Sequence, residues 1–127
     1  MRYLVDGNNV MGANVARWWN DPVGAAEKLL RRLASWCVEH PDDDVLVVFD
    51  GKPEDRLRRV AGGNLRVDFA TRSGRDAADD RIVELVDDLF VEPELTVVTS
   101  DKGLAARLPP GVEVLGAGAY GTLVGLR

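Results

Sequence analysis

A chain of 127 residues, 46% apolar and 29% charged, has the length and composition of one domain, residues 1–127, with its own hydrophobic core. One cysteine, Cys37, and one histidine, His40, exclude an internal disulfide and leave too few ligands for a Cys/His zinc site. The formal charge of −5 argues, taken alone, against a nucleic-acid partner, and the absence of a long apolar run or a leader-like N-terminus predicts a cytoplasmic protein with no membrane partner.

Tyr3-Leu4-Val5 is short, apolar and β-prone, and it runs into Asp6-Gly7, so a buried first strand is expected. Gly7, Asn8 and Asn9 read as a turn. Trp18-Trp19 fall in the following loop, where packing is favoured over stacking on unpaired bases. Asp21-Pro22 signals a helix start, an acid at the N-cap and Pro at the first helical position. Ala26, Leu29, Leu30, Leu33 and Cys37 follow at helical spacing until Pro41 ends the segment. Cys37 reads as a core residue and His40 as a helix-end residue.

Val45-Leu46-Val47-Val48-Phe49 is a continuous apolar run ending in Asp50-Gly51, as in a parallel strand covered on both faces. From Lys52 to Arg75 there are seven basic residues and three acids, a local +4 that leaves −9 on the remainder. That asymmetry fits a nucleic-acid path beside an acidic pocket, and equally a solvated surface. Leu65, Val67 and Phe69 alternate with more polar neighbours, as in an edge strand, and Arg72-Ser73-Gly74-Arg75 reads as a loop.

A second helix is expected from Asp76, with Ile82, Val83, Leu85, Val86 and Leu89 on its apolar face. Leu95 to Thr99 is another apolar strand, ending at Ser100-Asp101. Leu104 to Leu108 makes a short helix, Val112 to Leu115 a last strand, and a Gly-rich tail follows. Strands alternating with helices imply right-handed crossovers and a mostly parallel sheet of about five strands with helices on both faces. Gly116 to Gly121 matches G-x-G-x-x-G, but only six residues follow, so no dinucleotide site can be built there.

Three core strands end in acids: Asp6, Asp50 and Asp101. In an open parallel sheet the carboxyl ends share one edge, where sites form, so these three should converge. Asp76, Asp79 and Asp80 lie at i, i+3 and i+4, on one face of a helix start. Like charges so placed repel unless a helix dipole or a cation compensates. Oxygen-only ligand sets suit Mg²⁺ or Mn²⁺, one ion or two, and two-ion sites cleave phosphodiesters with little else from the protein. Each acid alone has a bland reading as a cap or turn residue, Asp101 above all, and Asp80 as a partner of Arg81. Asn8 and Asn9 offer amides to a carboxylate or phosphate. Ser100 either binds a phosphate oxygen or caps the helix that follows it, with capping favoured. Arg72 and Arg75, just before the acidic helix, are placed to grip a nucleic-acid chain.

The motifs Val5-Asp6-Gly7-Asn8-Asn9-Val10, Val47 to Gly51, Ala78 to Leu85 and Val97 to Asp101 resemble, in order, those of the NYN domain family, especially its YacP-like branch. The resemblance implies a three-layer α/β/α PIN-like (Rossmann-like) fold and a Mg²⁺- or Mn²⁺-dependent ribonuclease acting on RNA, single-stranded and cut internally. It implies that Asp6, Asp50, Asp79 and Asp101 are the principal metal carboxylates and catalytic residues, with Asn9 and Ser100 in support. Related flap nucleases carry a Glu two residues before the paired Asp; here that position is Ala77, with Asp76 one residue earlier, so Asp80 is left open as ligand or outer-shell group. PIN-like proteins often form dimers, which leaves a homodimer open. The competing expectation is a non-catalytic RNA-binding or protein-interaction module with the same fold.

Overall fold

The computed structural model describes residues 1–71, 77–89 and 94–127. Five strands form one sheet: β1 (Arg2–Asp6), β2 (Asp44–Asp50), β3 (Leu65–Ala70), β4 (Leu95–Val98) and β5 (Glu113–Leu115). Their order is β3-β2-β1-β4-β5, and every pairing is parallel. The connections are α1 (Gly7–Asn14), a 3₁₀ turn at Trp18–Asn20, α2 (Pro22–Glu39), α3 (Asp55–Arg58), α4 (Ala77–Leu89) and α5 (Lys102–Ala106), and α6 (Ala117–Val124) follows β5.

The apolar runs are continuous because both faces of the sheet are covered. Val5, Val47 and Val98 face α1, α2 and α6, in a core that includes Leu29, Leu30, Leu33 and Tyr120. Leu4, Val48 and Val97 face the other way, onto Ile82 and Val86 of α4 and Leu104 of α5. This is the expected three-layer α/β/α arrangement. The Asp21 carboxylate accepts from Gly24 N–H (3.0 Å) at the start of α2, as the Asp-Pro signal predicts. Cys37 is buried, and burial pushes its thiol up to about 11. His40 ends α2, stacked on Trp36 at 4.0 Å.

Three local readings are corrected. Gly7, Asn8 and Asn9 are not a turn but the first residues of α1, which begins directly off β1. At the point where the strand passes into the helix Gly7 abuts the Phe49 ring; a Cβ there would lie 2.6 Å from it, so a side chain has no room. The Gly-rich tail is likewise a helix, α6. Glycine disfavours helix, but packing overrides propensity here. Ala117, Tyr120 and Val124 are buried, and the missing Cβ of Gly121 makes room for the Asn14 side chain, which donates to Val10 O and Ala117 O and accepts from Arg127. The Trp pair is not loop but the 3₁₀ turn: Trp18 packs against the core and Trp19 is exposed.

Tyr120 carries a cost. Its ring is fully buried, and its hydroxyl has no hydrogen-bond partner among the described residues. An unsatisfied buried hydroxyl costs about 1–3 kcal/mol. Tyr120→Phe is therefore expected to stabilise the fold by about 1 kcal/mol, read as a higher urea midpoint at unchanged slope. A lower midpoint would mean that the hydroxyl has a partner in solution.

Candidate active site

The sheet reverses direction of growth between β1 and β4, and ligand sites of open parallel sheets form at the carboxyl end of such a reversal. Register decides which residues meet there. Asp6 pairs level with Val48 on β2, two residues before Asp50. On the other side Val5 pairs with Val98, so Asp6 lies level with Thr99, two residues before Asp101. The sheet thus brings Asp6, Asp50 and Asp101 to one edge.

Asp6 occupies the centre and is only 4% exposed. Thr99 Oγ1 donates to its Oδ2 (3.0 Å). Burial pushes its carboxyl up to about 6. The nearby charges of Asp79 and Asp50 add to the rise, and the Thr99 hydroxyl and Asn9 backbone amide oppose it. A desolvated carboxylate in the field of two others is a candidate ligand for a cation.

The two asparagines act as struts. Asn8 Oδ1 accepts from the Asp50 N–H (2.8 Å), and Asn9 Oδ1 accepts from the Ser100 N–H (2.7 Å). One helical turn therefore fastens the end of β1 to the ends of β2 and β4. Asp50 reaches across to α4, where its Oδ1 accepts from Ala78 N–H (2.9 Å). This bond sets the start of α4, and with it Asp79, against the strand ends.

Asp101 caps α5, accepting from Gly103 and Leu104 N–H at 2.8 and 3.2 Å. Its own N–H donates to Thr99 Oγ1 (3.1 Å). Ser100 does not cap the helix that follows it: its Oγ accepts from Ala117 N–H (2.8 Å) at the start of α6, because Asp101 already serves α5. Asp80 pairs with Arg107 (2.7 Å) rather than Arg81, whose guanidinium is held by Asp68 and Glu84. Asp76, Arg72 and Arg75 lie outside the described residues. Thr99 was not singled out by the sequence; only the β1–β4 register, which sets its hydroxyl beside Asp6, reveals it.

As a donor set, Asp6, Asp50 and Asp79 offer oxygen ligands only, the chemistry that suits a hard divalent cation, and the charges of Asp79 and Asp50 act on the buried Asp6. Among the described residues no three acids already converge at ligand distance of one point. Of the basic residues between Lys52 and Arg66, Arg56 is paired with Glu27, and Arg58 pairs with Asp55 and lies over the Phe69 ring at 5.5 Å. No helix among the described residues is long and apolar enough to cross a membrane.

The YacP-like NYN domain family matches residues 3–108. Two crystal structures of Rae1 (YacP) from Bacillus subtilis superpose on the chain. One gives a TM-score of 0.74 at 24% identity, and the other, of a single-substitution mutant, 0.72 at 23%. Each alignment covers 98% of this chain and 74% of the other. At that identity the likeness establishes the fold. No curated protein matches the chain.

Proposed function

Because the chain belongs to the YacP-like NYN domain family, we propose that it is a metal-dependent ribonuclease that hydrolyses RNA phosphodiester bonds at the carboxylate edge of the sheet. The observation that carries this reading is the sheet register that brings Asp6, Asp50 and Asp101 to one edge, with α4 and its Asp79 fastened there by Asp50; Asp6 is buried among them, its carboxyl pushed up by burial first and by the charges of Asp79 and Asp50 after it. Structural acids are normally placed to relieve such repulsion.

In this reading Asp6, Asp50 and Asp79 hold Mg²⁺ or Mn²⁺, and Asp101 completes the acidic edge. The ion, when bound, supplies the positive charge that activates water and stabilises the leaving oxygen. The chain's own residues do the positioning. Thr99 orients the Asp6 carboxylate, Asn8 and Asn9 lock the strand ends, and Asp50 fixes the start of α4. The Asn8 and Asn9 carbonyls are engaged with backbone amides, which favours a positioning role over the direct substrate contact expected from their sequence. Ser100, fastened to α6, is a support of the same kind. Arg72 and Arg75 remain the proposed grip on the RNA, and Asp76 and Asp80 its acidic border.

The test is cleavage of a labelled single-stranded RNA in Mn²⁺, with and without chelator. Wild type should cut and the chelator should stop it. Asp79→Asn should lose at least about a hundredfold, because even outer-shell changes at metal sites cost 10–100-fold. One observation favours a second reading, a binding module without turnover: Asp101 and Asp80 already spend carboxylate oxygens on α5 and on Arg107. Tight RNA binding with no cleavage in Mn²⁺ would select it.

A further inference from the structure

Beside the carboxylate edge, between α1, α2 and the loop after β2, lies a cleft of about 250 Å³. Met11, Val23, Phe49 and Phe69 give it an apolar floor and wall. Its rim is polar: Asp50 and Glu54 offer acceptors, and Lys52 is the one lysine or arginine among the described residues that line it. We propose that this cleft is a nucleobase pocket, holding the base of a nucleotide next to the phosphate that is cut. The proposal rests on the ribonuclease reading and gives that site a means of choosing its substrate.

Three observations carry it. The cleft is continuous with the acidic edge, since Asn8 and Asp50 line both. A group seated in it is therefore covalently within reach of a phosphate at the carboxylates. The size suits one ring system: 250 Å³ lies just below the roughly 300–1,000 Å³ typical of drug-sized sites. The lining suits a flat ring with a hydrogen-bonding edge, apolar against its face and polar around its rim. An aliphatic ligand would use neither Glu54 nor the Asp50 oxygen that Ala78 leaves over. A bare phosphate would meet two acids and an apolar floor.

The chain supplies its own reporter. It has two methionines, Met11 in the cleft and Met1 at the opposite edge of the sheet, where its amino group pairs with Asp43 at 3.0 Å. In protein labelled with ¹³C at the methionine methyls, AMP, CMP, GMP and UMP are titrated separately to millimolar concentration, with ribose 5-phosphate as the base-free control. At least one nucleotide should move the Met11 signal and leave Met1 still. Ribose 5-phosphate should move neither, and Val23→Phe, which narrows the cleft from its half-buried wall, should abolish the shift. In the cleavage assay, an abasic ribonucleotide at one position flanking the cut should slow wild-type cleavage about tenfold or more, the usual worth of a held base. A Met11 signal unmoved by all four nucleotides, or moved equally by ribose 5-phosphate, overturns the proposal, as does cleavage indifferent to base removal at every flanking position. Absence of any cleavage would sink the ribonuclease reading instead, and the titration would still judge the cleft.

Discussion

Asp6→Asn is expected to abolish RNA cleavage while making the metal-free protein more stable at pH 8. The two effects share one cause. The Asp6 carboxyl has an ordinary pKa of 3.8 and is raised to about 6 in the fold, with burial the first cause. The folded state thus holds this proton more tightly than the unfolded state. Neutral Asp6 contributes its stability fully below pH 3.8, and that contribution is lost as pH rises through about 6. Above that, the fold carries a charge worth about 3 kcal/mol of lost stability at most. Asparagine keeps the shape and an acceptor for Thr99 Oγ1 but carries no charge. Its amide forfeits part of the gain, leaving a net of about 1–2 kcal/mol. Thermal melts of both proteins in chelator should show the variant higher at pH 8 and the order reversed near pH 4, where Asp6 is largely neutral and only the cost of the amide remains. A variant no more stable at pH 8 would mean that Asp6 is well solvated or already neutralised. Cleavage should fall by at least about a hundredfold, a larger effect than loss of a supporting residue.

Such a centre was largely legible before any coordinates, because parallel strands announce themselves. Val45 to Phe49 has no polar face, and only a sheet covered on both sides needs such a run. Once the strands are parallel, their terminal acids must share an edge, so Asp6 and Asp50 followed from the pattern. Contacts distant in sequence did not follow. Gly7-Asn8-Asn9 carries turn chemistry locally, yet forms helix because each Asn side chain bonds a different strand, 42 and 91 residues away. The glycines of α6 argue against helix until Asn14 is seen lying against Gly121. Ser100 and Asp101 were both candidates for the same cap, and only geometry assigns Asp101 to α5 and Ser100 to α6. Thr99 was invisible for the same reason: a threonine at a strand end means nothing until register sets it beside a buried acid.

Divalent ions should invert the pH dependence. In chelator, Asp6 makes the protein less stable as pH rises from about 4 to 6. In Mn²⁺ the opposite holds, because an ion bound by Asp6, Asp50 and Asp79 needs Asp6 without its proton. An ion at about a hundred times its dissociation constant stabilises the fold by about 2.7 kcal/mol. At pH 7.5 Asp6 is ionised and that gain should be complete. At pH 5, about one unit below its pKa, roughly a tenth of Asp6 is ionised, and apparent affinity should fall about tenfold from this group alone. Melts of wild type with and without Mn²⁺ should therefore separate above about pH 6 and draw together below it. Asp6→Asn and Asp79→Asn should show little separation at either pH. Equal Mn²⁺ stabilisation at pH 5 and 7.5 would place the ion away from Asp6. No stabilisation of wild type at any pH would leave the three carboxylates without a cation, and their mutual repulsion would then be a cost that the fold carries for some other ligand.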